Sequence, residues 1–328
     1  MAPTPAEPPP SMTKPSKPRI GISSCLLGQS VRYDGGHKFD RYINETLGLF
    51  FEFVPVCPEV AIGLGIPRPP IHLVQTREGV RVRGVRDPQL DVTDRLNAYA
   101  DSTATRLTDL RGYIFKRGSP SCGMERVKIR EESRILAHNG VGLFAAAFMR
   151  QHPLLPCEEE GRLNDPALRE NFITRIFVFD RWLNLVAARP DAAALIAFHS
   201  DHKFLLLAHN QAAYRRLGKM IADVGRGNAA RLTPTYGREL MAALSRKATR
   251  KSHSNVLEHM LGYVSDALSA GDRAELKNLI GDYRRGLVPL IVPITLFRHH
   301  LRHHPNAYLE RQVYLRPHPG ELMLLNHV

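Results

Sequence analysis

Three of the four cysteines follow short apolar runs and precede turns that contain glycine or proline. The runs are residues 19–22 before Cys25, 51–56 before Cys57 and 112–115 before Cys122. In an open α/β sheet, ligands gather at the carboxyl ends of the parallel strands, so we expect the three thiols to converge there. Convergent thiolates are ligands for a soft metal or an iron–sulfur cluster.

A metal site with three cysteine ligands is suited to catalysis. A cluster that takes only three protein ligands keeps one metal position open for a substrate, as catalytic zinc sites do. Glu59 lies two residues after Cys57, and Ser119 lies three residues before Cys122. We therefore expect a carboxylate beside the metal as general acid or base, with a hydroxyl at the same rim.

Simpler interpretations exist for the cysteines. A single free cysteine is more often a buried apolar residue than a ligand, but three cysteines in the same context favour ligation. Structural zinc sites usually contain a Cys-x-x-Cys pair, which is missing from this sequence, so an iron–sulfur cluster is preferred to zinc. The fourth cysteine, Cys157, follows the apolar run 153–156 and is interpreted as a spare thiol or a packed core residue.

The charge of the chain indicates a polyanionic partner. The 328 residues include 45 Lys and Arg and 32 Asp and Glu, a formal net charge of +13. Residues 192–328 hold 19 of the basic and 10 of the acidic residues, which places +9 of this charge in the carboxyl-terminal part. Nucleic acid is the first expectation and an anionic membrane surface the second.

The number of cysteines and the lengths of the apolar runs indicate the cellular compartment of the protein. Four cysteines in a chain of this length do not form a disulfide framework and suit a reducing environment. No apolar run approaches the ~20 residues that span a bilayer. We expect a cytoplasmic protein with no membrane segment and no obligate protein partner.

The pattern of apolar residues divides the chain. Residues 18–165 alternate strand-like runs with helical segments, which predicts the α/β class with a Rossmann-like parallel sheet. Beyond this point the helical periodicities are 166–188, 190–224, 234–270 and 272–285. The predicted organisation is a disordered Pro-rich tail at residues 1–17, an α/β domain at 18–165 and a basic all-helical domain at 166–328.

Short motifs surround the candidate ligands. They are Gly-Ile-Ser-Ser-Cys-Leu-Leu-Gly at 21–28, Val-Arg-Tyr-Asp-Gly at 31–35, Cys-Pro-Glu at 57–59 and Ser-Pro-Ser-Cys-Gly at 119–123. In combination these motifs resemble the thiouracil desulfurase family. The resemblance implies a 4Fe-4S cluster bound by Cys25, Cys57 and Cys122, with a fourth iron free to take sulfur from a thiolated pyrimidine. It also implies that Glu59 and Ser119 are the acid/base carboxylate and the hydroxyl, and only the resemblance favours Ser119 over Ser121.

The second half resembles a helical domain of unknown function that is often fused to this desulfurase domain. The matching segments are 199–204, 208–209, 214–218, 317–319 and 321–322. Such fusions resemble the transfer-RNA 4-thiouridine desulfidases, which implies a tRNA substrate. His199, His202 and His209 in this half are interpreted as structural, hydrogen-bonded residues.

Basic clusters at helical spacing are the predicted RNA contacts. A solvated helix face explains any one cluster equally well, but three clusters of one sign favour binding. Lys116 and Arg117, close to Ser119, are expected to hold the phosphates beside the reacting base. The expected contacts are Lys116, Arg117, Arg215, Arg216, Lys247, Arg250, Lys251, Arg298 and Arg302, and His299, His300, His303 and His304 are interpreted as surface or phosphate-contacting residues.

The sequence predicts a non-redox, iron–sulfur-dependent desulfidase that converts 4-thiouridine in tRNA to uridine and hydrogen sulfide. The open iron would draw electron density through the thiocarbonyl sulfur while water replaces that sulfur with oxygen. One alternative is a desulfurase of free thiouracil or thionucleosides, in which the helical half serves stability or assembly. Another is a non-catalytic iron–sulfur sensor that binds nucleic acid.

Overall fold

The computed structural model describes residues 17–131, 134–226 and 229–328. Residues 1–16, which hold nearly all of the predicted tail, lie outside the described residues. The described strands are β1 Arg19–Ser23, β2 Glu52–Val56, β3 Ile71–Thr76, β4 Gly79–Gly84, β5 Gly112–Phe115, β6 Val127–Glu131, β7 Arg134–Gly140 and β8 Cys157–Glu159. The α-helices are α1 Pro58–Ala61, α2 Thr93–Arg106, α3 Leu143–Gln151, α4 Pro166–Ala187, α5 Ala192–His209, α6 Gln211–Ala222, α7 Ala229–Leu244, α8 Arg250–Val264, α9 Ala270–Arg285, α10 Ile291–His303 and α11 Ala307–Glu310.

The first sheet is parallel and contains the strands that precede the three cysteines. Its strand order is β2-β1-β5-β8, and Ile20 of β1 pairs with Phe53 of β2. Because successive residues of a strand face opposite sides, Tyr113 and Phe115 pack toward α2 and α3, whereas Ile114 packs toward α4. Helices thus cover both faces, and the predicted α/β class with a parallel sheet is confirmed.

A second sheet lies beside the first and has no counterpart in the sequence prediction. Its order is β4-β3-β6-β7, with antiparallel pairs β3/β4 and β6/β7 joined by the parallel pair β3/β6. Its strands alternate apolar with charged residues, which is typical of a sheet with one buried face. Leu73, Val82 and Val127 form that face and pack against Val92 and Leu96.

Several predicted elements differ in the structure. The apolar run 153–156 is not a strand, because β8 begins only at Cys157. The helix predicted at 190–224 is divided, since Asn210 has an extended backbone and caps α6 by accepting the Ala213 N–H. The helix predicted at 234–270 is divided in the same way before Thr249, whose hydroxyl caps α8.

Helix α4 connects the sheet to the helical half. It begins at Pro166, where the Asp165 carboxylate accepts two backbone N–H groups. Phe172 and Ile176, early in the helix, pack on the first sheet, whereas Trp182 packs in the core of the helical half. Among the described residues no helix is long and apolar enough to cross a membrane.

Several histidines in the helical half are buried and form hydrogen bonds. His199 bonds the Tyr236 hydroxyl, and His202 and His209 bond backbone carbonyls, which confirms their structural interpretation. Burial lowers the pKa of His199, His209 and His318 to about 4 and that of His202 and His253 to about 3. His300 is also buried, so its interpretation as a surface residue is wrong.

These histidines predict a loss of stability in acid. A base whose folded pKa lies below its unfolded value binds fewer protons when folded, so the free energy of unfolding falls as pH drops below about 6.5. Between about pH 7 and about pH 5, one such histidine removes about 2 kcal/mol. We expect His202→Asn to reduce the acid-induced loss by about this amount, measured by urea unfolding at both pH values. The exposed His299→Asn should retain the wild-type loss, and equal losses in all three proteins would contradict the assignment.

Candidate active site

The carboxyl ends of β1, β2 and β5 bring three cysteines to one place. Cys25 lies in a 3₁₀ turn directly after β1, and Cys57 follows β2 as the residue before α1. Cys122 lies in the loop after β5. All three line one cavity of about 490 Å³, so the convergence expected from the strand pattern is present in the structure.

The thiols are substantially buried, and burial governs their protonation. It raises the pKa of Cys25 to about 11, with the Lys116 cation opposing the shift. Burial also raises the pKa of Cys57, although the N–H groups of Glu59 and Val60 at the start of α1 favour its thiolate. The pKa of Cys122 is raised well above its usual value by burial and then by the charges of Glu59 and Cys57. Three thiols grouped in this way need a bound cationic centre to become thiolates together.

Glu59 is held by a buried ion pair that the sequence analysis does not identify. The Arg68 guanidinium donates to its Oε2 at 2.7 and 3.0 Å, and the Arg68 side chain is 4% exposed. Arg68 also donates to the carbonyl of Gly65, whose φ of +76° is in the region that glycine favours. The signal for this arginine in the sequence is its place directly after a short segment that contains Gly63, Gly65 and Pro67.

The two candidate hydroxyls have different surroundings. Ser121 donates to Glu59 Oε1 at 2.7 Å, but its side chain is fully buried and does not line the cavity. Ser119 lines the cavity, and its Oγ lies 3.5 Å from the same carboxylate oxygen while accepting the N–H groups of Ser121 and Cys122. Ser119 is therefore the hydroxyl placed to reach a bound molecule, and Ser121 fixes the carboxylate.

Two carboxylates hold the two ends of the loop that carries Cys122. One belongs to Glu159, the last residue of β8, and the other to Glu160, which follows it. Glu160 accepts the Arg117 N–H at 2.6 Å and also contacts the Lys116 ammonium. Glu159, which is buried, accepts the N–H groups of Met124 and Glu125. These carboxylates are not among the predicted site residues, and their signal in the sequence is the acidic run directly after Cys157.

The start of α3 closes the same loop from the other side. The N–H groups of Gly142, Leu143 and Ala145 bond carbonyls of residues 120–123 at 2.7–3.1 Å. A Cβ on Gly142 would lie 2.5 Å from the Ser121 carbonyl carbon and oxygen. Only glycine fits at this position, and the close approach of the two backbones sets the position of Cys122.

Cys157 lies outside the cavity lining. As the first residue of β8 it is at the amino end of its strand, whereas the other three cysteines follow the carboxyl ends of theirs. It packs against the apolar cluster around Tyr113 and Phe144, and burial raises its pKa to about 12. Within the described residues, no three His, Cys, Asp or Glu side chains are grouped as ligands of a single ion. The cysteine ligands of an iron–sulfur cluster each bind a different iron, so they lie further apart than the ligands of a single metal ion.

The predicted RNA contacts occupy varied environments. Lys116 and Arg117 line the cavity, but the Lys116 ammonium contacts Glu160. Arg216 pairs with Glu239 at 2.9 Å. The residues Arg215, Lys247, Arg250, Lys251 and Arg302 are exposed.

Arg298 lies in a cluster of like charge. Burial, and then the charges of Arg316 and Arg302, lower the pKa of the Arg298 guanidinium. Arg316 is not among the predicted contacts. The three arginines would be relieved of their mutual repulsion by an anion.

Comparison with known proteins identifies both halves of the chain. Residues 20–160 match the sequence model of the 2-thiouracil desulfurase family, and residues 203–319 match that of DUF1722, a protein family of unknown function. YbbK of Bacillus subtilis (strain 168), an uncharacterized protein, is 30% identical over 110 residues, which cover 32% of this chain and 72% of YbbK. The chain belongs to the 2-thiouracil desulfurase family.

The chain has further relatives. The uncharacterized protein YbgA of Escherichia coli (strain K12) is 32% identical over 156 residues, which cover 47% of this chain and 92% of YbgA. A solved structure, the [4Fe-4S]-dependent thiouracil desulfidase TudS, is 32% identical and matches over 45% of this chain and 94% of its own, with a TM-score of 0.38. The predicted fusion of a desulfurase domain to a helical domain of unknown function is confirmed.

The contact at Gly142 predicts how sensitive the cysteine loop is. We expect Gly142→Ala to displace the loop and to lower the free energy of unfolding by about 1–3 kcal/mol, as overpacking does. Iron and sulfide bound after anaerobic reconstitution should fall as Cys122 moves. Gly262→Ala is the matched control, because a Cβ there meets no atom within 4 Å. Full loading of the Gly142→Ala protein would show that this contact does not position the cysteine.

Proposed function

We propose that this chain is an iron–sulfur-dependent desulfidase that removes sulfur from 4-thiouridine in tRNA. The reaction is hydrolytic and balanced: the C=S bond is replaced by C=O, water supplies the oxygen, and sulfur leaves as hydrogen sulfide. The observation that carries the proposal is the meeting of Cys25, Cys57 and Cys122 with Glu59 and Ser119 around one cavity. Membership of the 2-thiouracil desulfurase family supports the same chemistry.

The residues present fit a 4Fe-4S cluster. Cys25, Cys57 and Cys122 are soft donors on three separate loops, and the cavity lining contains a single acidic side chain, Glu59. Burial of these thiols favours a centre that contributes its own positive charge. When bound by three cysteines, the cluster would supply a Lewis-acidic iron with an open position for the thiocarbonyl sulfur.

The side chains of the cavity account for proton transfer. Arg68 occupies Oε2 of Glu59 and leaves Oε1 toward the hydroxyls of Ser119 and Ser121. In the proposed reaction Glu59 takes a proton from the attacking water, and Ser119 orients that water or relays the proton. The buried ion pair keeps the carboxylate in one orientation during this step.

The cavity also offers a surface for the base. Tyr33 lies on its lining and is 44% exposed, and the Arg32 guanidinium lies 5.4 Å from the centre of its ring. An exposed aromatic face is a stacking platform for a pyrimidine that has left its own stack. The cavity volume of about 490 Å³ is in the range of small-ligand sites.

A tRNA substrate is supported by charge. The cavity lining includes Arg32, Lys38, Lys116 and Arg117, of which Lys116 contacts Glu160 and Arg32 lies 3.4 Å from Asp34. The remaining cations, Lys38 and Arg117, have no role in binding free thiouracil, which is a neutral base. The helical half adds exposed basic residues and the cluster of Arg298, Arg302 and Arg316. Binding through several phosphates would make turnover of tRNA strongly dependent on salt.

The deciding experiment compares two substrates. The protein is reconstituted anaerobically with iron and sulfide and mixed with tRNA that contains 4-thiouridine or with free 2-thiouracil. We expect loss of the thionucleoside absorbance and release of sulfide from tRNA, with kcat/KM falling steeply as salt rises. Turnover of the free base alone would assign the helical half to stability or assembly, and no turnover of either would favour the sensor.

Two cysteine variants serve as a matched pair for this experiment. Cys122→Ala should abolish turnover and cluster absorbance, because it removes one of the three proposed ligands. Cys157→Ala should retain both, since that thiol lies outside the cavity lining. If the two variants behaved alike, the proposed ligand set would be wrong.

The two serines should separate by phenotype. Ser119→Ala is expected to lower kcat on the order of 100-fold, as loss of a proton relay does. It also removes the acceptor of the Ser121 and Cys122 N–H groups, so some loss of stability accompanies it. Ser121→Ala removes the 2.7 Å donor to Glu59 Oε1, so it should lower the free energy of unfolding by about 1–3 kcal/mol while retaining most of kcat. Thermal unfolding and single-turnover kinetics on both variants measure the split, and a reversed pattern would assign the relay to Ser121.

A further inference from the structure

A groove on the second sheet adjoins the active-site cavity. It has a volume of about 770 Å³ and is formed along β3 and β6. Ile71, Gly118 and Pro120 line both the groove and the cavity. A molecule bound in the cavity can therefore extend along the sheet without leaving the protein surface.

The groove is basic. Among the residues that the structure describes, its charged lining residues are Arg126, Lys128 and Arg130, with His72 beside them, and none of its lining residues is a carboxylate. Lys128 and Arg130 are two residues apart on β6 and share a face with His72, whereas Leu73 and Val127 point into the core. Burial and then the charge of Arg130 lower the pKa of His72, so the imidazole adds no positive charge of its own near neutral pH.

On the neighbouring strand β4, by contrast, two arginines are paired with a carboxylate. Arg81 and Arg83 of β4 contact the Asp91 carboxylate at 2.6 and 3.2 Å. Within the described part of the chain no carboxylate is placed in this way for Lys128, whose side chain is exposed. Arg126 is exposed too, and its Nε lies 3.7 Å from a carboxylate oxygen of Glu125. The side chains of Arg126 and Lys128 are thus accessible to a ligand beside the cavity.

We propose that this groove binds the sugar–phosphate backbone of the RNA next to the thiolated nucleotide. The base would enter the cavity past Gly118 and Pro120, and the adjoining phosphates would lie against Arg126 and Lys128. This inference rests on the proposed tRNA substrate and adds the second sheet, rather than the helical half alone, to the RNA-binding surface. A free thiolated base carries no phosphate and would not use the groove.

The test is neutralisation of the two exposed cations. Arg126→Gln/Lys128→Gln should weaken binding of tRNA on the order of tenfold near physiological salt. It should also lower the slope of log K against log salt by about 1 to 2. Binding is measured by fluorescence anisotropy of labelled tRNA, and turnover of free 2-thiouracil should stay at the wild-type rate. Arg106→Gln/Arg150→Gln is the control, because these exposed arginines line neither the groove nor the cavity.

The outcomes separate this inference from the proposed function. If the wild-type protein converts 4-thiouridine in tRNA but the Arg126→Gln/Lys128→Gln protein binds with the same affinity and salt slope, the groove inference alone is wrong. An equal loss in the Arg106→Gln/Arg150→Gln protein would also overturn it, since net charge rather than the groove would then explain binding. If the wild-type protein converts free 2-thiouracil and neither binds nor converts tRNA, both proposals are wrong.

Discussion

The site depends on three parallel strands that end at one edge of the first sheet. β1, β2 and β5 are neighbours in register, so residues that are 32 and 65 positions apart in the chain end on one cavity wall. An antiparallel arrangement of any of these strands would send its cysteine to the opposite edge. Cys157 shows the effect of position on a strand, since it begins β8 and lies outside the cavity lining.

Strand direction alone does not fix Cys122, because six residues lie between it and the end of β5. The intervening loop is fixed by groups that come later in the chain. Glu159 and Glu160 accept backbone N–H groups on either side of the cysteine, and the start of α3 bonds the carbonyls between them. The short strand β8 therefore contributes to the site mainly by placing the carboxylates of Glu159 and Glu160 beside the loop that carries Cys122.

Site residues that follow a strand could be predicted from the sequence alone. The three cysteines, Glu59 and Ser119 all follow apolar runs closely, and the structure places them around one cavity. Long-range partners left no comparable signal: nothing in the spacing of Arg68 or Glu159 indicates what either side chain contacts. The second sheet was missed because alternation of apolar and charged residues in short strands is weak beside the long helical periodicities. Helix ends at Asn210 and Thr249 were missed because a continuous apolar pattern conceals a cap whose effect is local.

The ion pair between Glu59 and Arg68 limits what the carboxylate can do. A buried carboxylate with one oxygen bound to a guanidinium keeps only the other oxygen for chemistry, and here that oxygen faces two hydroxyls. Ser121 is closer but enclosed, so Ser119 is the hydroxyl that is near the carboxylate oxygen and also lines the cavity. Because Ser119 Oγ also accepts the Cys122 N–H, the hydroxyl and the cysteine move together. The loop thus couples the position of the proposed metal ligand to the position of the proton relay, and a change that displaces one displaces the other.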